Sequence, residues 1–327
     1  MRRARDMVNR QANRGLEAPA VLLRSPEYSA SGGFHLVLCA FIRNKSGYMN
    51  MMHAKRTAHL SSYLNGLLSA GRVVFTRDEA QKAIGASVGA FLDAAERQQR
   101  KHHLVSPRQG FYVIVPPQYF AWGGPPPAWY IDDLMRHEGC PYYVGLLKAA
   151  ELHGATHQAV MEFQVITNKR LPRLRIGRSN IVFYYRKDLD PIAAGIVERK
   201  TDTGHMKISS PELTALDLLR YPHAGGGLDN IATVIADLAE HLNAGKLATL
   251  AAAYERSVSQ RLGYLLDLLG RSERAGALHR MLTKRSTVPW VELEPSLTID
   301  TDVTSQPPQD RNERWHVIVR RLPERDE

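Results

Sequence analysis

Thr76–Arg100, TRDEAQKAIGASVGAFLDAAERQQR, decides the reading of the first third of the chain. Two helices meet in it at a tight break. Thr76 can accept from the free N–H groups of a helix starting at Arg77, and Glu79 can reach back to the Thr76 N–H, which makes a capping box. That helix is short and stops at Gly85, a residue that tolerates the left-handed backbone that ends helices. Ser87 caps the next helix. Val88, Phe91, Leu92 and Ala95 recur in it at helical spacing and predict its buried stripe. Gly89, Asp93, Arg97, Arg100 and Lys101 fall on the opposite side.

Upstream, residues 53–71 (HAKRTAHLSSYLNGLLSAG) space Ala58, Leu60, Tyr63, Leu64, Leu67 and Leu68 as an amphipathic helix closed by Gly71. Arg72–Phe75 reads as a short extended piece. Downstream, Leu104–Ser106 and Phe111–Val115 flank Pro107-Arg108-Gln109-Gly110, which suits a type I turn, so the pair reads as a hairpin. Helix, strand, helix, tight turn, helix, hairpin is the order of a winged helix-turn-helix. The unit is expected over residues 53–121. Pro116-Pro117 and Gly123–Pro127 follow it and resist both helix and sheet.

The net charge is +10, with 44% hydrophobic and 23% charged residues, so a packed core is expected and wholesale disorder is excluded. Residues 1–50 hold 8 Lys and Arg against 3 Asp and Glu, residues 51–121 hold 9 against 4, and residues 122–327 hold 26 of each. The excess therefore sits at one end, which points to a polyanion there. Residues 1–52 show no sustained period and read as a poorly ordered extension; a translation start later than Met1 is the alternative expectation, with Met49, Met51 and Met52 just before the first clear helical pattern. Cys39 and Cys140 are too few for a disulfide framework. The longest apolar run, Phe34–Ile42, is too short to span a bilayer. A cytoplasmic protein with no membrane contact is expected.

A helix is about 10–12 Å wide with its side chains and the major groove about 12 Å wide. Small residues at the start of the second helix, Ser87 and Gly89 among them, let the backbone approach the duplex. Arg97, Arg100 and Lys101 further along can reach phosphates, and Arg108 at the hairpin tip can touch the neighbouring groove. These six residues are the expected DNA contacts. The competing reading is an ordinary solvated helix face on a protein-docking module. If Arg97, Arg100, Lys101 and Arg108 each neutralise one phosphate, binding falls with salt with a slope of about −3.6 per protomer. That favours two protomers on paired half-sites, from a chain that is a monomer or weak dimer off DNA.

Residues 122–327 read as a larger mixed α/β domain, with a polar tail after about 295, giving an α+β fold overall. Helices are expected at Tyr130–His137, Tyr143–His153, Pro211–Tyr221 (capped by Ser210), 229–242, 244–255 and 257–269. Strands are expected between Gln158 and Tyr185, and late at Trp315–Val319. Lys169, Arg170, Arg173, Arg175 and Arg178 make a second basic patch, continued by Arg186 and Lys187. It reads as a solvated sheet face or as a contact for DNA or an acidic partner. Catalytic signals are weak. His153 and His157 lack further ligands, Gly177-Arg178-Ser179 only faintly echoes nucleotidyltransferases, and the Gly225–Gly227 run lacks a phosphate loop's Lys. No catalytic residue, metal or cofactor is assigned.

Three stretches in order carry a resemblance: the first module from Phe75 to Gly85 with Gly110–Val113, then YYVGLLKAAELHG at 142–154, then SSPELTALDLL at 209–219. In these the chain resembles the AbiEi-type antitoxins of type IV, abortive-infection toxin–antitoxin systems, over about residues 55–290. The resemblance implies a winged helix that binds inverted repeats in its own promoter and represses the operon. It also implies a C-terminal domain that counteracts a nucleotidyltransferase-like toxin without a stable complex, and no enzymatic activity. The alternatives are a nucleotide-using enzyme, either an atypical kinase or a nucleotidyltransferase, and a ligand-sensing regulator.

Overall fold

The computed structural model describes residues 59–156, 159–284, 287–295 and 310–324. The extension expected over 1–52 and the start of the helix expected from residue 53 lie outside these. The first helix, α1 (Leu60–Ser69), buries Leu60, Leu64 and Leu67. It is followed by β1 (Val74–Thr76), α2 (Arg77–Ile84), α3 (Val88–Arg100), β2 (Leu104–Arg108) and β3 (Phe111–Ile114). The three strands form an antiparallel sheet in the order β1-β3-β2, with Phe75 opposite Tyr112. Against one face of this sheet the helices pack through Leu64, Ile84, Phe91 and Ala95. The Tyr112 ring stacks on Phe75 at 5.3 Å and meets Phe91 edge-on at 5.4 Å.

The opposite face of the same sheet is buried as well. Val74, Phe111 and Val113 share a core with Tyr130, Ile131, Val144, Phe163, Leu174 and Ile181 of the following region. Every residue of β3 is therefore buried. The unbroken apolar run Phe111–Val115 fits this, because a strand covered on both faces has no reason to alternate. The expected break at 121/122 is thus crossed by a continuous core, and residues 55–327 cluster as one compact unit.

Beyond the proline-rich crossing lie α4 (Ile131–His137), β4 (Tyr142–Val144), α5 (Leu146–Leu152), β5 (Glu162–Thr167), β6 (Leu174–Ile176), β7 (Ser179–Tyr185), β8 (Ile196–Thr201) and β9 (Gly204–Ser209). They form a mixed six-stranded sheet in the order β6-β7-β5-β4-β9-β8. Tyr143 and Val144 were expected to open a helix. Instead they form, with Tyr142, the strand between β5 and β9, where these bulky β-favouring side chains are buried. The β8–β9 hairpin was not anticipated, because β8 is an edge strand with a largely exposed, charged sequence.

A helical layer covers one side: α6 (Pro211–Arg220), α7 (Leu228–Leu238), α8 (Ala244–Ala251), α9 (Arg256–Leu268) and α10 (Ser272–Thr283). Ser210 caps α6 by accepting from the Leu213 N–H, and α6 runs through the centre of this layer with residues 212–219 all buried. The last of these helices, α10, was missed in the sequence. The chain closes with β10 (Val291–Glu292), β11 (Asp310–Asn312) and β12 (Val317–Val319), a small sheet in the order β10-β12-β11. The region after about 295 is therefore not only a polar tail. Trp315, Val317 and Val319 are in the main core, and the Trp315 indole N–H donates to Asp267 at 2.6 Å. No helix among the described residues is long and apolar enough to cross a membrane.

Gly177 has a structural reason to be glycine. It sits at φ +56° in the β6–β7 turn, and a Cβ there would overlap the Trp122 carbonyl oxygen and lie 2.7 Å from the Gly123 carbonyl carbon. Close backbone approach accounts for the glycine of Gly177-Arg178-Ser179. Gly177→Ala is expected to lower stability by about 1–3 kcal/mol, since backbone must move to make room. A urea midpoint equal to that of the wild type would refute this.

Candidate nucleic-acid interface

The turn between α2 and α3 is built as its residue types require. Thr76 accepts from the Glu79 N–H at 3.2 Å, Gly85 takes a left-handed φ of +65°, and Ser87 accepts from the Ala90 N–H at 3.3 Å. The Glu79 carboxylate is held by the Arg72 guanidinium at 2.7 and 3.1 Å. Those bonds, with one from the Thr76 backbone, outweigh burial and keep the Glu79 carboxyl below its usual range.

One long side of α3 is open to solvent. Ser87, Gly89, Ala90, Asp93, Glu96, Arg97, Arg100 and the following Lys101 are all exposed. Val88 and Leu92 were expected in the buried stripe, but they are 54% and 45% exposed. Only Phe91 and Ala95 of α3 are fully buried, because the helix meets the sheet along a narrower line than a four-residue stripe. Arg100 is bonded to Glu96 at 2.6 Å, one turn back. An exposed pair of this kind is weak and can be exchanged for a phosphate.

Arg108 departs from expectation. It was expected at the hairpin tip, free to touch the neighbouring groove. The tip instead lies against the next region, where Arg108 is ion-paired to Glu138 and donates to the Pro172 carbonyl at 3.3 Å. Glu138 also takes a bond from Lys169 at 3.1 Å. Burial alone would raise the Glu138 carboxyl, but these two cations hold it below the usual range. The neutralising acid comes from 30 residues downstream and could not be found by reading along the local sequence. Arg108→Ala is expected to lower stability by about 1–2 kcal/mol and to leave duplex affinity unchanged. A gel shift weakened ten-fold at equal folding would restore Arg108 to the interface.

The second basic patch borders this contact. Lys169, Arg170, Arg173, Arg175 and Arg178 are exposed along and around the sheet-edge strand β6. The Arg170 guanidinium lies over Tyr185 at 4.5 Å and that of Arg178 over Trp122 at 5.5 Å. Among the described residues no ion pair involves Arg173 or Arg175. Arg186, which continues the run in sequence, is buried.

Arg186 belongs to a cluster that sequence reading missed. The Asp217 carboxylate, on α6, accepts from Tyr143 at 2.8 Å and Tyr254 at 2.6 Å, with Arg186 Nη1 at 3.8 Å. Arg186 also donates to the Asp188 and Ala253 carbonyls and lies over the Tyr254 ring at 4.3 Å. Complete burial pushes the Asp217 carboxyl up to about 6 despite its hydrogen bonds from Tyr254 and Tyr143. Asp217 is fully enclosed, and the cluster binds elements together. The only signal in the sequence was its placement in two of the stretches quoted above: Tyr143 lies in 142–154 and Asp217 in 209–219.

His153 caps α5 and its Nε2 lies 2.7 Å from the Ser209 carbonyl; burial lowers its pKa. His157 lies outside the described residues. No group of three His, Cys, Asp or Glu among the described residues could hold a metal ion.

Comparison with known proteins adds a matching domain model and a likeness of fold. No curated protein matches the chain. The crystal structure of the RV2827C protein from Mycobacterium tuberculosis is similar over 79% of this chain and 90% of that one, with 18% identity and a TM-score of 0.57, a likeness of fold. The family model of the AbiEi antitoxin C-terminal domain matches residues 143–268. That span runs from Tyr143 through α9 and includes the whole Asp217 cluster. Over this span, somewhat more than a third of the chain, the protein is similar to the C-terminal domain of AbiEi antitoxins.

Proposed function

We propose that this chain is an antitoxin that represses its own operon. In this reading α1–α3 with the β1-β3-β2 sheet act as a winged helix-turn-helix that seats α3 in the major groove of paired inverted repeats. The region from β4 to α9 counteracts a nucleotidyltransferase-like toxin without a lasting complex, and it acts as a regulator, not an enzyme. The observation that carries the proposal is the joining of an AbiEi antitoxin domain to a helix whose outer side is open from Ser87 to Lys101. Arg97, Arg100 and Lys101 supply the phosphate contacts, and Ser87 and Gly89 allow close approach. Arg108 drops out of the set. The exposed cations at Lys169, Arg170, Arg173, Arg175 and Arg178 are assigned to the antitoxin side.

The test is a gel shift of the purified chain on DNA from upstream of its own gene, beside growth rescue on co-expression with the neighbouring gene. Cooperative binding to a fragment with two half-sites is expected. A footprint confined to one half-site, or no rescue, would overturn the proposal.

A further inference from the structure

We infer that α3 recognises thymine, through Val88 and Leu92 set against the 5-methyl groups of neighbouring thymines in the major groove. This rests on the reading of α3 as the groove-binding helix, and specifies what that helix reads. Val88 and Leu92 are one helical turn apart and exposed at 54% and 45%. Ser87, Gly89 and Ala90 beside them are small, so the two aliphatic side chains stand highest on the N-terminal half of the helix.

The base edges sort what such a surface can read. Guanine is read by Arg or Lys, adenine by Asn or Gln, cytosine through its amino group by a carboxylate, and thymine by apolar contact with its methyl. Residues 87–93 contain no Arg, Lys, Asn or Gln. They offer two aliphatic groups and one carboxylate, Asp93, and Asp93 is repelled by phosphates and is tolerated only where it faces a cytosine amino group. The surface therefore complements pyrimidines, with thymine the main element. A separation of four residues along a helix is about 6 Å, close to two base steps, so both side chains can reach methyl groups on one strand. Phosphate attraction is left to Arg97, Arg100 and Lys101, which lie further along and carry no sequence information themselves.

The test uses the full chain and its own upstream promoter fragment, amplified once with dTTP and once with dUTP. The two probes differ in the thymine methyl alone. Each buried methyl is worth about a four-fold change in affinity, so wild type is expected to bind the uracil probe about 16-fold more weakly per protomer. Val88→Ala/Leu92→Ala should bind the thymine probe about as weakly, and should no longer distinguish the two probes. Both positions are exposed, so the variant's melting temperature should match wild type; Leu92→Gln is a second variant with the same expected loss of discrimination. Equal wild-type binding to both probes, with Arg97→Ala/Arg100→Ala still weakening both, would overturn the thymine assignment and leave DNA binding standing. No shift on either probe would overturn both. A change in oligomeric state in the variant, with no thymine–uracil difference in wild type, would make the pair a contact between copies of the chain and overturn the inference.

Discussion

Asp217→Ala is expected to destabilise the chain by about 3–5 kcal/mol, the effect of removing one partner from a buried charged pair. Two hydroxyls, from Tyr143 and Tyr254, would lose their acceptor, and Arg186, at 4% exposure, would be left charged and unpaired. For a body of this size the melting temperature should fall by about 10 °C. Circular dichroism melts of wild type and variant measure this directly. A fall of less than about 1 kcal/mol would mean that water enters the cluster and supports Arg186 in place of the carboxylate. Tyr254→Phe should have a smaller effect, since the ring under Arg186 is kept.

The same residue sets a pH dependence whose sign is opposite to that of a salt-bridged surface acid. Burial raises the Asp217 carboxyl from 3.8 to about 6. The folded state therefore holds this proton more tightly than the unfolded chain. The stabilisation from it is complete below about pH 4 and is lost as pH rises through about 6. Asp217→Asn should flatten that part of the stability curve between pH 4 and 6. A curve for wild type that does not fall across this window would contradict the raised value.

The second large effect concerns the duplex. With Arg108 held by Glu138, three cations per protomer remain for phosphates: Arg97, Arg100 and Lys101. The expected salt slope is then about −2.7 per protomer, not about −3.6, and raising salt from about 50 to 200 mM should weaken one protomer about 40-fold. Arg97→Ala/Arg100→Ala should reduce the slope to about −0.9 per protomer and lower affinity at low salt by at least ten-fold. Both side chains are exposed, so the fold should be unchanged and rescue from the toxin retained. A measured slope of the variant equal to that of wild type would remove α3 from the interface. Loss of rescue together with binding would show that the two activities share these residues.

Local patterns in the sequence were sufficient for the first module. Thr76, Gly85 and Ser87 cap and break helices by chemistry that involves only residues three or four apart, so α2 starts and stops, and α3 starts, where expected. Phe91 and Ala95 were legible as core for the same reason. Val88 and Leu92 were misplaced because periodicity marks an apolar side of a helix and cannot tell how wide its contact is. Arg108 was misplaced because its partner, Glu138, is distant in sequence and brought close only by the shared core. Tyr143 and Val144 looked helical because they run into the helix-forming LLKAAEL, while the strands they pair with lie 20 and 60 residues on. The Asp217 cluster was invisible as a cluster: its four members come from β4, the residue after β7, α6 and the link between α8 and α9. The α8–α10 layer was read except for its last helix, whose stripe of Ala275, Leu278 and Leu282 is thin and flanked by charge.

The apolar seam beneath Val74, Phe111 and Val113 bears on turnover. Cooperative melting spreads across such a seam, so the front three-helix portion cannot open while the rear stays intact. If the proposed function holds, a protease that captures the transiently unravelled chain would remove repression and protection in one step and in fixed proportion. Release of the operon and loss of immunity to the toxin would then rise together, on one clock set by one global opening rate.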